Sequence, residues 1–558
     1  MTHRELPREA PNRPALGRAA ASQLAARAIR RPSVVWAVIT ACATLGLLLR
    51  GYQLARPGYL LGVTEYDDGV LFGNALRLVA GVIPYRDFSM VQPPGGMLLM
   101  VPAALLAKVA GTAWGLAAAR LLTVAADTAN IVLLGVLVRH RGPLTAGIAC
   151  GVYAVYPDAI SAAHTFLLEP WLNLFCLLGA VAIFDGDRLA GTAPGLRPAT
   201  ARVPDTARLL CGGLLFGFAA AVKIWALVPL GVAGLLLVVT ARRARPAAAL
   251  GGGAAVGLGL PLLPFAVLAP AALARGVLIG QFVRDADGPR HLLQRLSDLA
   301  GLGLHPVGPP EKLLLAAIAT GLIGCCAAVG RLVARRRDRR PGALDGYALA
   351  CALAVTVMLA WPRLYYRHYG SFDGPFVALA LALPVGLLSA PRPADPRPAR
   401  LRVAAVTALV LIVAAAGCLQ FRAESRLQGK VVAATADRLI PAGACVVAND
   451  ASYTVAADRF YSDVPGCPEI VDSFGTYIAL TSGLLRSAGP AALREVVDLW
   501  QTALDRAQYV WLTVDTAAQI PWNRQLHDYF AGHFRLIGLA RPQAGNPYVP
   551  APGLYARI

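Results

Sequence analysis

Charge is what this sequence has least of. Charged residues make up 15% of the 558 positions, whereas soluble globular chains carry about 25%. Hydrophobic residues make up 56%, and the mean hydropathy is +0.55. This shortage of charge, together with long apolar runs, excludes an ordinary soluble protein and predicts a polytopic membrane protein.

The marks of several other protein classes are also absent. The net charge of +20 would suit a nucleic-acid partner, but the chain has no nucleic-acid-binding motif and no basic surface interleaved with aromatic residues. It has no nucleotide-binding glycine-rich loop, no internal repeat and no paired-histidine spacing typical of a metal site. We therefore predict no nucleic-acid partner and no cofactor, and a divalent metal has no motif to support it.

The positive residues lie in short clusters between apolar runs, as the positive-inside rule describes. Run length and Lys/Arg asymmetry predict about eleven spans, near 34–54, 114–138, 143–157, 170–184, 209–222, 225–240, 247–270, 311–330, 344–360, 373–390 and 403–419. Every strong Arg cluster then falls on the cytoplasmic side. Counting the apolar run Gly95 to Ala110 as a further span would place the clusters at 139–141 and 331–340 outside, so we predict that residues 71–110 form helices lying in the outer interface.

The predicted organisation has three parts. Residues 1–33 form a basic cytoplasmic tail, residues 34–419 a helical core with an outer loop at 55–113, and residues 420–558 a small extracytoplasmic α/β domain. The tail domain is predicted from strand-like pieces at Cys445–Ala448, Tyr509–Val514 and Phe534–Leu539 and helix-like pieces at Ala491–Ala507 and Trp522–Phe530. The chain would be a multi-pass protein of the plasma membrane.

Two further features bear on this organisation. Cys445 and Cys467 lie in the polar tail and could form a disulfide on an oxidising face of the membrane. The run Gly251-Gly252-Gly253 within a span is predicted to aid helix packing. High Ala, Arg and Gly content indicates a high-GC bacterial source, such as an actinobacterium.

Carboxylates cluster directly after the first span, in Glu65-Tyr66-Asp67-Asp68-Gly69. One interpretation is a solvated loop in which Asp68 caps a helix that starts near Gly69. The other is a general base that acts on a hydroxyl group. A fourth acid, Asp127, falls in the middle of a span, where we expect a structural ion pair with Arg120 or with a neighbouring helix.

The ordered set of motifs after the first span resembles the first outer loop of the GT-C superfamily. The motifs are Tyr66-Asp67-Asp68-Gly69, then Gly81-Val82-Ile83-Pro84-Tyr85-Arg86-Asp87, then Pro93-Pro94-Gly95. Members of this superfamily are membrane glycosyltransferases that use polyprenyl-phosphate sugars, and they include protein mannosyltransferases, aminoarabinose transferases and arabinofuranosyltransferases. The resemblance covers roughly residues 34–390. It departs at Leu168-Glu169-Pro170, where the family commonly has Asp-Pro.

The resemblance implies roles for particular residues. Asp67 would be the catalytic base, with Asp68 and Glu169 as further carboxylates of the site. The donor phosphate would be bound by residues after the fifth and ninth spans, namely Lys223, Arg363, Arg367, Tyr365 and Tyr366. Acceptor or loop residues would be Tyr85, Asp87, His164, Arg284 and His291.

Structural alternatives stand beside three of these roles. Glu169 could simply favour the helix dipole at the start of a span, and Lys223 could snorkel from an apolar helix end. An interfacial aromatic belt would explain the cluster at 361–369.

The sequence thus predicts an α-helical polytopic membrane glycosyltransferase with a GT-C-like core. It would move mannose or arabinofuranose from a polyprenyl-phosphate donor to an envelope glycan, lipid or protein, with inversion. Two alternatives are a transporter or flippase of envelope lipids, and a membrane assembly protein without catalytic activity. Several mid-span charges or an inverted repeat would favour the transporter, and we find one mid-span acid and no such repeat.

Overall fold

A computed structural model describes ten stretches of the chain and three isolated residues, 311, 328 and 332. The stretches are 32–192, 204–241, 244–279, 292–301, 342–361, 365–389, 398–481, 490–514, 519–538 and 547–558. Five predictions therefore fall outside the described residues: the basic tail at 1–33, of which only 32 and 33 are described, the span near 311–330, and the roles of Arg284, His291 and Arg363.

Helices dominate the described residues between 32 and 424. The helices up to residue 183 are α1 (Pro32–Leu54), α2 (Tyr66–Val79), α3 (Gly95–Leu99), α4 (Val101–Ala110), α5 (Thr112–Val138), α6 (Pro143–Ala154), α7 (Pro157–Ala163) and α8 (Glu169–Ile183). A small hairpin follows, β1 (Phe184–Asp185) and β2 (Arg188–Leu189). The next helices are α9 (Asp205–Val222), α10 (Leu227–Ala241), α11 (Ala244–Leu268), α12 (Pro270–Ala274), α13 (Leu292–Leu299), α14 (Ala343–Ala360), α15 (Gly370–Ser389) and α16 (Pro398–Glu424).

Seven of the described helical segments are long and apolar enough to cross a membrane. They are Pro32–Leu54, Thr112–Arg141, Asp205–Val222, Ile224–Ala241, Ala244–Leu268, Ala343–Ala360 and Thr407–Glu424. The predicted spans near 143–157 and 170–184 correspond to α6 and α8, which are apolar but only 12 and 15 residues long. The chain is a multi-pass membrane protein, while the count of eleven spans and their direction stay predictions.

Small residues let the core helices approach closely. On α11, a Cβ at Gly253 would collide with the carbonyl oxygen of Leu210 on α9, and one at Gly257 would collide with that of Leu214. Close approach of this kind strengthens van der Waals packing between helices in a membrane. The prediction that the glycine run aids packing holds for Gly253, whereas a Cβ at Gly251 or Gly252 would meet nothing within 4 Å.

The mid-span acid Asp127 forms a buried ion pair across helices. Arg50 of α1 places its Nε 2.5 Å from Asp127 Oδ2, and both side chains are fully buried. Asp127 also accepts from the hydroxyl of Tyr153 on α6, at 2.5 Å. Of the two partners that the sequence left open for Asp127, the neighbouring helix is therefore confirmed, and Arg120 pairs with Asp68 instead.

The apolar run from Gly95 to Ala110 is divided into two short helices. Helix α3 has five residues and α4 has ten, with Met100 between them. Because a span needs about 20 residues, neither helix is long enough to cross a membrane alone. That the run lies in the outer interface stays a prediction.

The C-terminal region alternates helices and strands. In order it contains α17 (Ala433–Leu439), β3 (Val446–Ala448), α18 (Ala451–Ala456), α19 (Ser473–Thr481), α20 (Pro490–Arg506), β4 (Tyr509–Leu512), α21 (Arg524–His533), β5 (Phe534–Gly538) and β6 (Gly553–Arg557). The strand order is β3-β4-β6-β5. The β3–β4 pair is parallel and the other two are antiparallel.

The sheet packs on an apolar cluster that α20 and α21 share. Trp500 of α20, Val510 of β4 and Phe530 of α21 are all buried in this cluster. A disulfide joins Cys445 to Cys467. The region therefore has an apolar core of its own. Other residues of the region contact the outer-loop helix α2, as described below.

Candidate active site

Helix α2 carries the first-loop acids in its first turn. The helix begins at Tyr66, and Glu65 is its N-cap in an extended conformation with no side-chain capping bond. Asp67 and Asp68 therefore lie where the helix dipole stabilises negative charge. The expectation that Asp68 caps a helix near Gly69 is wrong, because the helix starts three residues earlier.

Asp68 is closed off inside the protein. Its side chain is fully buried and ion-paired with Arg120 of α5. The same carboxylate accepts hydrogen bonds from the hydroxyls of Thr165 and, at 3.2 Å, Thr64. Arg120 also donates to the backbone oxygen of Leu60, at 2.9 Å. A carboxylate held by a guanidinium and two hydroxyls stabilises the loop, and it is poorly placed to take up a proton from a substrate.

Asp67 has a different environment, although it is the next residue along the chain. Its side chain is 37% exposed, and its Oδ2 lies 3.8 Å from Nε2 of His368. The other ring nitrogen of His368, Nδ1, lies 3.3 Å from Oε1 of Glu65. His368 belongs to a 3₁₀ turn, Arg367–Tyr369, that precedes α15. The fold thus joins the first loop to a turn that lies 300 residues away in sequence.

Glu169 and Lys223 form the inner side of this cluster. Glu169 is the first residue of α8, and Lys223 follows α9 in an extended conformation. Lys223 Nζ lies 2.5 Å from Glu169 Oε1, and that same oxygen lies 4.0 Å from Nε2 of His368. The ammonium also lies 3.6 Å from the ring centroid of Trp225 and 4.2 Å from that of Tyr369. Lys223 is buried, so snorkelling does not account for its position.

The charges of this group are coupled. Burial alone would lower the pKa of His368, but the carboxylates of Glu169, Glu65 and Asp67 outweigh it and raise that pKa. Burial would raise the pKa of Glu65, but its bond to His368 and the nearby positive charge lower it. The three acids therefore favour the charged form of the histidine, and Asp67 is the most exposed of them.

Three of these side chains could hold a metal ion. Glu65, Asp67 and His368 each offer one ligand atom, and the three atoms lie within 4.8 Å of one another. Two carboxylate oxygens and an imidazole nitrogen suit zinc or another divalent transition metal, provided that the histidine is neutral. The donor set fits such an ion, although the sequence has no motif for it.

Three of the predicted phosphate-binding residues, Tyr365, Tyr366 and Arg367, directly precede the same histidine in the chain. The ring of Tyr366 is parallel to that of His368, with centroids 5.7 Å apart. Tyr365 is buried. Arg367 Nε lies 3.5 Å from the buried carboxylate of Asp158 at the start of α7. This ion pair ties the turn that carries His368 to the core.

The remaining predicted loop residues hold the outer loop in shape. Tyr85 adopts a positive φ of 68°, and its hydroxyl donates to the backbone oxygen of Gln92 at 2.5 Å. Asp87 accepts from the backbone N–H of Ile83 at 2.8 Å. His164 is buried with its ring edge-on to Tyr59, at 5.1 Å between centroids, and burial lowers its pKa.

Two contributors to the site were not expected from the sequence. Arg120 was a candidate partner for Asp127 on its own helix, and it neutralises Asp68 instead. His368 lies at the centre of the acids, a place that an aromatic belt at 361–369 does not indicate. Its contact with Glu65 and Asp67 could not be predicted because these residues lie about 300 positions away in the sequence.

No protein-family model and no curated protein sequence matches this chain. Solved structures do match it. ArnT from Cupriavidus metallidurans bound to undecaprenyl phosphate has a TM-score of 0.55 and 15% identity, over 93% of this chain and 97% of that one. The Archaeoglobus fulgidus oligosaccharyltransferase in complex with Zn and sulfate has a TM-score of 0.52 and 12% identity, over 86% of this chain and 68% of that one.

A third similar structure is arabinofuranosyltransferase AftD from Mycobacteria. Its TM-score is 0.50 with 16% identity, over 93% of this chain and 39% of that one. All three are GT-C membrane glycosyltransferases. At these identities the likeness concerns architecture, and it agrees with the first-loop motifs. The chain is a polytopic membrane protein with the GT-C fold.

Proposed function

We propose that the protein is an inverting glycosyltransferase that moves a sugar from a polyprenyl-phosphate donor to an acceptor of the cell envelope. Mannose and arabinofuranose are the sugars we favour, and the acceptor would be a glycan, a lipid or a protein. The observation that carries the proposal is the contrast between Asp67, which is partly exposed, and the paired acids that surround it.

Asp67 would act as the general base. Its carboxylate would take the proton of an acceptor hydroxyl as the hydroxyl oxygen forms a bond to the anomeric carbon of the sugar. The bond between that carbon and the phosphate oxygen breaks at the same time, and the lipid phosphate leaves with the electron pair. Because this is a single displacement with a good leaving group, one carboxylate suffices, whereas glycosidases need two.

Positive charge near the leaving phosphate supports the same chemistry. Lys223 and His368 are both buried beside Glu169, and a phosphate that approached them would gain charge-assisted hydrogen bonds. Arg367, Tyr365 and Tyr366 border the same turn and complete the group we assign to the donor. The undecaprenyl phosphate named with the ArnT structure supports a lipid-phosphate donor for this chain.

A divalent cation at Glu65, Asp67 and His368 would add positive charge next to the phosphate. The zinc named with the archaeal oligosaccharyltransferase is in keeping with this possibility for the fold. The residues of this chain would hold the ion through two carboxylates and one imidazole, and Lys223 would then remain the fixed positive partner.

The transporter alternative has less support. A carrier needs polar groups at the midplane that serve its substrate. The mid-span acid of this chain, Asp127, is instead occupied by Arg50, Tyr153 and Asn130. The acids that remain accessible lie at the loop end of the helices, where a transferase would need them.

We place the site on the outer face of the plasma membrane, with the N-terminus in the cytoplasm and the C-terminal region outside. The disulfide between Cys445 and Cys467 supports this placement, because such bonds persist in oxidising compartments. The site and the C-terminal region lie on the same side, since Ser452 and Asp472 contact the loop that carries Asp67.

The test is a donor screen in proteoliposomes. The purified protein is reconstituted with radiolabelled polyprenyl-phosphate mannose or polyprenyl-phosphate arabinofuranose, and an envelope extract supplies the acceptor. We expect label to enter the acceptor fraction from one lipid donor and not from the matching nucleotide sugar. Movement of the intact donor between leaflets without any new glycosidic bond would contradict the proposal and favour a flippase.

A further inference from the structure

The segment that carries Asp67 is held from one side by the C-terminal region. Val63, three residues before α2, pairs its backbone with Lys430 through two hydrogen bonds, of 2.9 and 2.8 Å. The next contacts fall on the residues that flank Asp67 itself. They come from two turns of the C-terminal region, at Ser452 and at Asp472–Phe474, which we call the clamp.

Ser452 contacts the backbone directly before Asp67. Its hydroxyl lies 2.8 Å from the carbonyl oxygen of Glu65 and 3.0 Å from that of Tyr66. Ser452 is fully buried. Its own backbone N–H donates to Asp450 at 2.9 Å, so the turn that presents the hydroxyl is fixed.

Tyr66 is held at the far end of its side chain. Its hydroxyl donates to Asp472 Oδ1 at 2.9 Å and accepts from the backbone N–H of Phe474 at 3.2 Å. Asp472 also accepts from the N–H of Gly475 at 2.7 Å, and its backbone bridges to Asp450. The two turns of the clamp are therefore joined to each other.

Gly69 shows how closely the clamp fits. A Cβ at this position would overlap the backbone nitrogen, the Cα and the hydroxyl of Ser452. Backbone atoms cannot move aside as a flexible side chain can. Helix α2 thus lies directly against the clamp, one turn after Tyr66.

The residue after Asp67 is fixed by a second restraint, the ion pair between Asp68 and Arg120. Asp67 lies between these two restraints in the sequence, and its carboxylate faces His368, as that of Glu65 does. A base must lie within hydrogen-bond reach of the proton that it removes, and small misplacements cost rate.

We infer that the clamp positions Asp67 for proton transfer, with Ser452, Asp472 and Tyr66 acting as positioning residues. This inference rests on the proposed function, because it assigns a task to a base. It gives the C-terminal region a role in the chemical step that is separate from any contact with the acceptor.

The first test compares two serines of the C-terminal region. Ser452→Ala removes the hydroxyl next to Glu65 and Tyr66. Ser462→Ala removes a hydroxyl whose hydrogen bonds, to Gly443 O and from the N–H of Val464, stay within the C-terminal region. We expect kcat to fall about tenfold in Ser452→Ala, as for the loss of one hydrogen bond, with the KM for the donor unchanged. Ser462→Ala should keep both constants. Equal kcat in the two variants would overturn the inference. So would a lower kcat/KM in Ser452→Ala that comes only from a higher KM for the donor.

The second test uses rescue by a conservative variant. Asp472→Ala removes the acceptor of the Tyr66 hydroxyl, whereas Asp472→Asn keeps an oxygen that can accept it. We expect Asp472→Ala to lower kcat and Asp472→Asn to restore most of it. The double variant Tyr66→Phe/Asp472→Ala should have nearly the same kcat as Asp472→Ala, since both changes break the same contact between Tyr66 and Asp472. Additive losses, or no difference between the alanine and asparagine variants, would contradict the clamp.

A third measurement does not depend on activity. Hydrogen exchange of the peptide that covers residues 62–70 reports whether the segment is held. We expect faster exchange in Ser452→Ala and Asp472→Ala than in Ser462→Ala. If the wild-type protein transfers no sugar, the proposed function fails while this measurement still decides whether the clamp exists. Unchanged exchange in all three variants would show that it does not.

Discussion

The protein places its acids in two kinds of surroundings. Asp68 and Asp127 are fully buried, and each is paired with one arginine. Glu65 and Asp67 keep about a third of their side chains exposed, and their shared partner is a histidine. The two groups meet between Asp67 and Asp68, which are adjacent in the sequence.

The difference concerns what each carboxylate can do. An arginine keeps its charge at any physiological pH, so the acids it pairs with are fixed as part of the structure. A histidine can lose its proton near neutral pH, so its acid partners can exchange protons or bind an ion. We therefore expect damage to the arginine pairs to appear as lost stability, and damage to the histidine group to appear as lost chemistry.

The largest effect on stability is expected from Arg50→Met. This change leaves Asp127 buried without its cation, and such losses cost about 3–5 kcal/mol in free energy of unfolding. Thermal unfolding in detergent would measure it. The matched control is Arg50→Met with Asp127→Leu, which removes both charges and should recover most of the stability. A stable Arg50→Met protein that has lost transfer activity would contradict the claim that the arginine pairs serve stability.

A smaller effect is expected from loss of the disulfide. The two cysteines are 22 residues apart, so replacing both with serine should cost about 3 kcal/mol. A membrane-impermeant reductant, added to the outer face of spheroplasts, should lower the melting temperature of the wild type to that of the double-serine variant. No response to the outer reductant, with a response after permeabilisation, would contradict the placement of the C-terminal region outside.

Much of the helical architecture could be predicted because apolar length alone specifies it. The predicted first span at 34–54 corresponds to Pro32–Leu54, and that at 344–360 to Ala343–Ala360. The predicted strands at 445–448 and 509–514 likewise correspond to Val446–Ala448 and Tyr509–Leu512. These signals are local, so one sequence is enough to show them.

The partners of charged side chains could not be predicted in the same way. Asp127 and Arg120 lie two turns apart on one helix, and the sequence offered them as a pair. The fold instead brings Arg50 to Asp127 and Asp68 to Arg120. The contact between Asp67 and His368 spans 301 positions, and no local pattern carries that information. The motifs could indicate which residues matter, but they could not show which residues touch.

The smallest expected effect is a shift in pH dependence. The pKa of His368 is raised, so its stabilising contribution is complete below its unfolded pKa of about 6.5 and is lost as the pH rises through the higher folded value. Glu65→Gln removes one of the charges that raise this pKa, so the loss of stability should be smaller and should end at a lower pH. The measurement is melting temperature against pH, with His368→Gln as the control that removes the transition. An unchanged profile in Glu65→Gln would contradict the coupling.

The role of Asp67 is tested most directly by single-turnover transfer in proteoliposomes that contain either wild-type protein or Asp67→Asn. The amide keeps the size of the side chain but cannot accept the proton, so we expect transfer to slow by about 10²–10⁴-fold. The melting temperature should stay unchanged, because the Asp67 side chain is 37% exposed. Asp67→Asn protein that transfers sugar at the wild-type rate would contradict the account.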